Sequence, residues 1–252
     1  MRLPLPPPFL RRPIAHRALH DRAAGRVENS RAAIRAAVEA GYGIEIDLQL
    51  SSDGVPMVFH DDTLDRLTEA AGPVRSRTAA DLGALTLRDA GDGIPTLAEV
   101  LGIVGTAVPL LIELKTQYPA DGALERATAA ALQRHAGPVA VMGFSPDSVA
   151  LMAELAPTIP RGITTCSYRY EDWPRLTRRD CDLLREIPDY ERVEASFISH
   201  EAADLGRDRV AELKAEGAVI LCWTIRSQHA EDEARRIADN VTFEGYRAAK
   251  PA

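Results

Sequence analysis

Short apolar runs alternate with amphipathic segments along this chain, and that alternation restricts its fold more than any other feature. Strand-like runs fall at 13–16, 44–50, 55–60, 108–115, 139–143, 159–164, 193–199, 219–225 and 241–243. Helical spacing appears between them at 29–40, 97–104, 120–135, 146–155, 201–216 and 230–239. Strands alternating with helices form parallel βαβ units. About eight such units in a chain of 252 residues fit a closed (β/α)8 TIM barrel better than an open doubly wound sheet. No Gly-x-Gly-x-x-Gly follows the first strand, which argues against a dinucleotide site. No linker of domain-boundary character breaks the pattern, so residues 1–252 are expected to form one α/β barrel domain. A polar, irregular stretch at about 61–93 reads as a small insertion after the second strand region, with one helical turn near 79–85.

Local signals support these boundaries. Asn29 or Ser30 is placed to cap the first helix and Gly41 to stop it. Ser52-Asp53-Gly54 predicts a tight turn between two strands. Thr96, after Pro95, is placed to cap the helix at 97–104. The prolines Pro4, Pro6, Pro7 and Pro8 argue against a helix at the N-terminus, and 165–191 reads as a long polar and aromatic connection.

Charge and cysteine content exclude several functions. The net charge is −7 and no basic block occurs, so no nucleic-acid partner is expected. Cys166, Cys181 and Cys222 are odd in number and lack CxxC spacing, which predicts reduced, inert thiols and no structural zinc. No run approaches the roughly 20 apolar residues of a membrane span, and none of signal length opens the chain. A cytoplasmic protein without stable membrane insertion is expected.

Polar motifs stand at the ends of the apolar runs: His16-Arg17, Glu45-Ile46-Asp47, Val58-Phe59-His60-Asp61 and Ile112-Glu113-Leu114-Lys115. Residues two apart on a strand share a face, so Glu45 with Asp47, and Glu113 with Lys115, project together. A barrel strand is covered on both faces, and carboxylates there require a partner such as a metal. A structural ion pair is the competing reading for Glu113 and Lys115. Barrel active sites lie at the C-terminal strand ends, which would gather these motifs despite their separation in sequence.

Several more stretches join these motifs: Glu28-Asn29-Ser30, Ser52-Asp53-Gly54, Leu64 and Arg66, Ile94-Pro95-Thr96-Leu97-Ala98-Glu99-Val100-Leu101, and Trp223-Thr224. In order and approximate spacing the set resembles the glycerophosphodiester phosphodiesterase family over most of the chain. The resemblance implies a TIM barrel that hydrolyses glycerophosphodiesters to glycerol 3-phosphate and an alcohol with a divalent cation. Carried over, Glu45, Asp47 and Glu113 would be metal ligands and His16 and His60 the acid/base pair, with neither histidine assigned to one role. Arg17 and Lys115 would hold the phosphate. Trp223 either lines the alcohol side of the substrate or fills the core.

The chemistry is consistent with those roles. Carboxylate ligands without a cysteine or histidine cluster favour Mg²⁺ or Ca²⁺. A hard cation neutralises a phosphodiester anion that would otherwise repel a nucleophile. Arginine offers a fork to phosphate oxygens and lysine a point charge. Histidine suits proton transfer near neutral pH.

The chain departs from the family in three places. Ala18 stands where glycine usually follows His-Arg, and the loop at 18–27 is slightly longer and carries His20 and Asp21 near the expected site. The last strand runs into Phe243-Glu244-Gly245 where an Ile-Thr-Asp-like motif is usual. These departures read as lying clear of the ligands and the acid/base pair, and as bearing on the substrate. His200 reads as a surface histidine at a helix start, His135 and His229 as helix-surface residues, and Glu28-Asn29-Ser30 mainly as a helix anchor. Tyr168, Tyr170 and Trp173 read equally as an active-site lid or a self-packed surface loop. Two further functional readings remain: a phospholipase D-like or cyclising phosphodiesterase acting on lysophospholipids, and a non-catalytic binder of phosphate ligands.

Overall fold

In the computed structural model, which describes residues 2–250, nine strands form one sheet that closes on itself. The chain enters through α1 (Pro8–Arg11), β1 (Ile14–Ala15), α2 (Arg31–Ala40), β2 (Gly43–Leu50) and β3 (Pro56–Val58). It continues through α3 (Ala79–Ala84), α4 (Leu97–Val104), β4 (Leu110–Leu114), α5 (Ala123–Leu132), β5 (Val139–Gly143) and α6 (Pro146–Leu155). Then come β6 (Arg161–Thr165), α7 (Arg178–Arg185), β7 (Phe197–Glu201), α8 (Asp208–Ala215), β8 (Val219–Ile225), α9 (Gln228–Ala234) and β9 (Asn240–Phe243). β1 pairs in parallel with both β2 and β9, which closes the barrel. β3 alone is antiparallel, a hairpin partner of β2. The architecture is the expected (β/α)8 TIM barrel.

Strand alternation decides what faces the barrel interior. On β2, Ile44, Ile46 and Leu48 join the large apolar cluster between sheet and helices, together with Leu110, Ile112 and Leu114 of β4. The opposite parity, Glu45 and Asp47 on β2 and Leu111 and Glu113 on β4, therefore points inward. The lower interior is apolar, filled by Leu111, Ala140, Met142, Phe197 and Leu221. Gly162 is required there: a Cβ on it would come within 2.4 Å of the Phe197 ring. The charged layer sits above this plug, towards the C-terminal ends of the strands.

Three expectations change. The proline-rich N-terminus does form a helical turn, α1, because Pro8 occupies its first turn, where no N–H is needed. Phe9 buries against the lower plug, and the Asn240 amide donates to the Phe9 and Arg12 carbonyls at 2.6 and 2.7 Å. The connection at 165–191 contains α7, opened by a capping box between Thr177 and Asp180 that the sequence displayed. The helix expected from 201 begins only at Asp208, since β7 runs through Glu201 and a 3₁₀ turn follows at Ala202–Asp204.

The insertion packs around its own apolar cluster, which includes Met57, Phe59, Leu64, Leu67, Val74 and Leu82. Among the described residues no helix is long and apolar enough to cross a membrane.

Candidate active site

Asp47 and Glu113 are register partners on β2 and β4, and Glu45 lies two residues before Asp47 on the same inward face. All three are buried, and their oxygens come within 4.8 Å of one another. Lys115 reaches into the group, with Nζ 2.8 Å from Asp47 Oδ1 and 2.5 Å from Glu113 Oε1. The structural ion pair considered for Glu113 and Lys115 is thus present, but inside a carboxylate cluster.

The charges are unevenly balanced. Burial pushes the Glu45 carboxyl well above its usual range, and the neighbouring Asp47 and Glu113 add to the shift. Burial would also raise Asp47, but Lys115, His60 and Arg17 outweigh it and hold that carboxyl far below normal. Lys115 is held firmly protonated against its burial by Asp47 and Glu113. Glu45 is therefore the member the protein's own cations leave least compensated. An all-oxygen, closely spaced, buried donor set of this kind fits a hard divalent cation.

Both candidate histidines are backed by carboxylates. His16 Nδ1 lies 2.6 Å from Glu244 Oε2, and Glu244 Oε1 accepts from Arg226 Nε at 2.8 Å. His60 Nδ1 lies 2.7 Å from Asp61 Oδ1, and Asp61 accepts from Arg66 Nε at 2.6 Å. A carboxylate can only accept, so each Nδ1 must donate and each Nε2 is the nitrogen available to the cleft. Burial lowers the pKa of His16, partly offset by Glu244. The hydrogen bond from His16, then His20 and Arg226, holds Glu244 well below the usual carboxylate range.

The turn after β1 is fixed by its backbone. Arg17 and Ala18 both adopt left-handed conformations, with φ of 51° and 65°. A glycine would take the second without strain; an L-residue there costs about 1 kcal/mol. The Arg17 amide donates to Glu45 Oε2 at 2.8 Å, and the Ala18 amide to the Glu45 carbonyl at 3.0 Å. The Arg17 side chain donates to Glu28 at 2.8 Å, and Glu28 also receives Arg66 at 2.6 and 2.8 Å.

One cleft of about 240 Å³ is lined by His16, Arg17, Glu45, Asp47, His60, Glu113, Lys115 and Trp223. The residues carried over from the sequence as ligands, acid/base pair, phosphate holders or alcohol-side lining all border that cleft. Trp223 lines the cleft, and its indole N–H donates to the Ser199 carbonyl at 2.9 Å.

Other assignments change. Glu244 does not lie clear of the candidate acid/base pair, since it contacts His16 directly; His20, which the sequence puts near the site, has Nε2 3.6 Å from the same oxygen. Ser30 caps α2, whereas Glu28 serves the arginines and Asn29 donates to Asp47 Oδ2 at 2.8 Å. The left-handed φ of 59° at Asn29 turns its amide towards β2. His200 is fully buried, 2.7 Å from the Thr165 hydroxyl, because it lies within β7 and precedes no helix directly. His229 is exposed and His135 half-buried. All three cysteines are free and buried, with burial pushing Cys166 up to about 11 and Cys222 up to about 12, which suits the inert reading.

Known proteins resemble this chain in sequence and in fold. Residues 16–242 match the profile described as the glycerophosphoryl diester phosphodiesterase family. A glycerophosphodiester phosphodiesterase of Caldanaerobacter subterraneus is 31% identical over 224 residues, 85% of this chain and 86% of that protein. One from Bacillus subtilis is 33% identical over 210 residues, covering 73% and 67%. Among solved structures, an Oleispira antarctica phosphodiesterase in complex with the product sn-glycerol 3-phosphate superposes with a TM-score of 0.76 at 24% identity, covering 92% of this chain and 91% of that one. Profile and relatives together define a phosphoric diester hydrolase. The chain belongs to the glycerophosphoryl diester phosphodiesterase family.

Proposed function

We propose that this protein hydrolyses glycerophosphodiesters to glycerol 3-phosphate and an alcohol with a divalent cation, Mg²⁺ or Ca²⁺, held by Glu45, Asp47 and Glu113. The observation that carries this reading is the single cleft in which buried carboxylates stand beside Arg17, Lys115 and two carboxylate-backed imidazoles. When bound, the cation supplies charge neutralisation and orientation of the phosphate. Arg17, anchored through Glu28, and Lys115 hold the phosphate oxygens. His16 and His60 move protons through Nε2, one taking a proton from the attacking hydroxyl or water and the other giving one to the departing alkoxide. Glu244 and Asp61 keep those imidazoles in the required tautomer. Barrel and insertion act as one unit in this reading, because the insertion supplies Asp61 and Arg66.

Release of glycerol 3-phosphate from glycerophosphoethanolamine tests the proposal. The expected result is turnover that EDTA abolishes and Mg²⁺ or Ca²⁺ restores. Absence of product from this diester and from its octyl counterpart at saturating cation would sink it, leaving the phosphate-binder reading. Phosphorus NMR of the product separates hydrolysis from cyclisation, since a cyclic phosphate would accumulate only in the latter.

A further inference from the structure

A second cavity, about 380 Å³, opens beside the catalytic cleft over the ends of β4, β5 and β6. Its wall is apolar and aromatic: Phe144, Pro146, Tyr168, Trp173, Leu176 and Leu184. Phe144, directly after β5, lines both this cavity and the catalytic cleft. The two spaces therefore meet at a shared ring, which packs on Trp173 at 5.0 Å and edge-on to Trp223 at 5.8 Å.

The aromatic loop is built to hold a shape. Tyr168 is buried and adopts a left-handed φ of 44°. Arg185 of α7 donates to the Ser167 and Tyr168 carbonyls, each at 2.7 Å. Glu201 of β7 accepts from the Ser167 amide at 3.0 Å and its hydroxyl at 2.7 Å. A cavity preformed in this way binds without first ordering a loop. Its size falls within the range of small-ligand pockets, and its lining suits an apolar guest.

The charges on its rim choose between guests. The one carboxylate in the wall, Asp172, is paired with Arg169 at 2.8 Å. Arg175 lies over the Tyr118 ring at 4.3 Å, with Asp62 Oδ2 3.9 Å from its guanidinium. An ammonium headgroup would find no unpaired carboxylate in this wall, so only cation–π attraction to the rings would offset its desolvation. An alkyl or aryl group meets no such penalty and gains from burial.

We infer that this pocket is a subsite for an apolar substituent, alkyl or aryl, carried by the phosphodiester that occupies the catalytic cleft. The inference rests on the hydrolytic reading of that cleft. It makes the preferred substrate an asymmetric diester with one polyol arm and one apolar arm.

Calorimetric binding of glycerophospho-1-octanol and of glycerophosphocholine to His60→Ala, with the cation present, tests it, alongside kcat/KM of the unaltered protein for both. The octyl ester is expected to bind at least about tenfold more tightly, since several methylenes are buried. Trp173→Ala and, separately, Leu176→Asp should collapse that preference to about threefold or less. Equal or tighter binding of the choline ester, or a preference untouched in both folded variants, overturns the subsite. Because binding is read apart from turnover, an octyl preference without hydrolysis supports the subsite while refuting the hydrolytic reading.

Discussion

The two ends of the barrel mouth are built differently. The carboxylate cluster stands on β2 and β4, where pairing fixes Asp47 opposite Glu113 and alternation aims both inward. The aromatic pocket is assembled from the end of β5, the loop after β6 and α7, and its shape depends on side-chain clamps such as Arg185. Between these extremes lie His16 and His60, set just beyond strands and oriented by carboxylates from the segments after β9 and β3. The groups proposed to meet a cation, where tenths of an ångström matter, occupy the stiffest backbone. The groups proposed to select among substrates occupy connections that can vary without disturbing the barrel.

That contrast yields a graded set of expectations. Asp47→Asn removes a strand-borne charge that meets Lys115, Asn29 and the candidate cation site, and should lower kcat/KM for glycerol 3-phosphate release by about 10³-fold or more. Glu244→Gln keeps the shape of the side chain but removes the charge behind His16. It should cost about 10- to 100-fold in kcat with little change in KM, measured by the same assay. A loss as large as that of Asp47→Asn would break the distinction between the strand-borne centre and its loop-borne supports.

The third expectation concerns a histidine outside the cleft. Burial lowers the pKa of His200 below its ordinary value of 6.5, so the unfolded chain takes up a proton there more readily than the folded one. Its contribution to stability is complete above about 6.5 and declines as the pH falls from there towards the lowered folded value. Urea midpoints for His200→Gln should fall less steeply than wild type across that acid window, and an unchanged slope would contradict the burial argument. Smallest of all, Thr96→Ala removes the capping box of α4, which is expected to cost about 1 kcal/mol in urea unfolding and leave kcat unaltered.

The same contrast explains what the sequence made legible. Glu45, Asp47, Glu113 and Lys115 stood out because charge on a strand covered on both faces contradicts its surroundings. The helices α4 and α6 and the strands β5 and β8 were readable to the residue, since caps, prolines and apolar runs marked their ends. Glu244 was not legible as a partner of His16: 228 residues separate them, and only closure of β1 onto β9 brings them together. Asn29 was hidden by its resemblance to an ordinary helix cap, and the positive φ that turns it towards Asp47 leaves no periodic signal. His200 was misplaced because β7 extends beyond the apolar run that suggested it. α7 escaped notice within a charged, aromatic stretch, although Thr177 and Asp180 announced its start.

The central claim is that the three strand carboxylates together hold one cation. Anomalous diffraction from crystals of the protein soaked in Ca²⁺ tests it most directly. One ion with oxygens of Glu45, Asp47 and Glu113 all within about 2.6 Å is the expected result. An ion bound without one of these three, or none at saturating Ca²⁺, would contradict it.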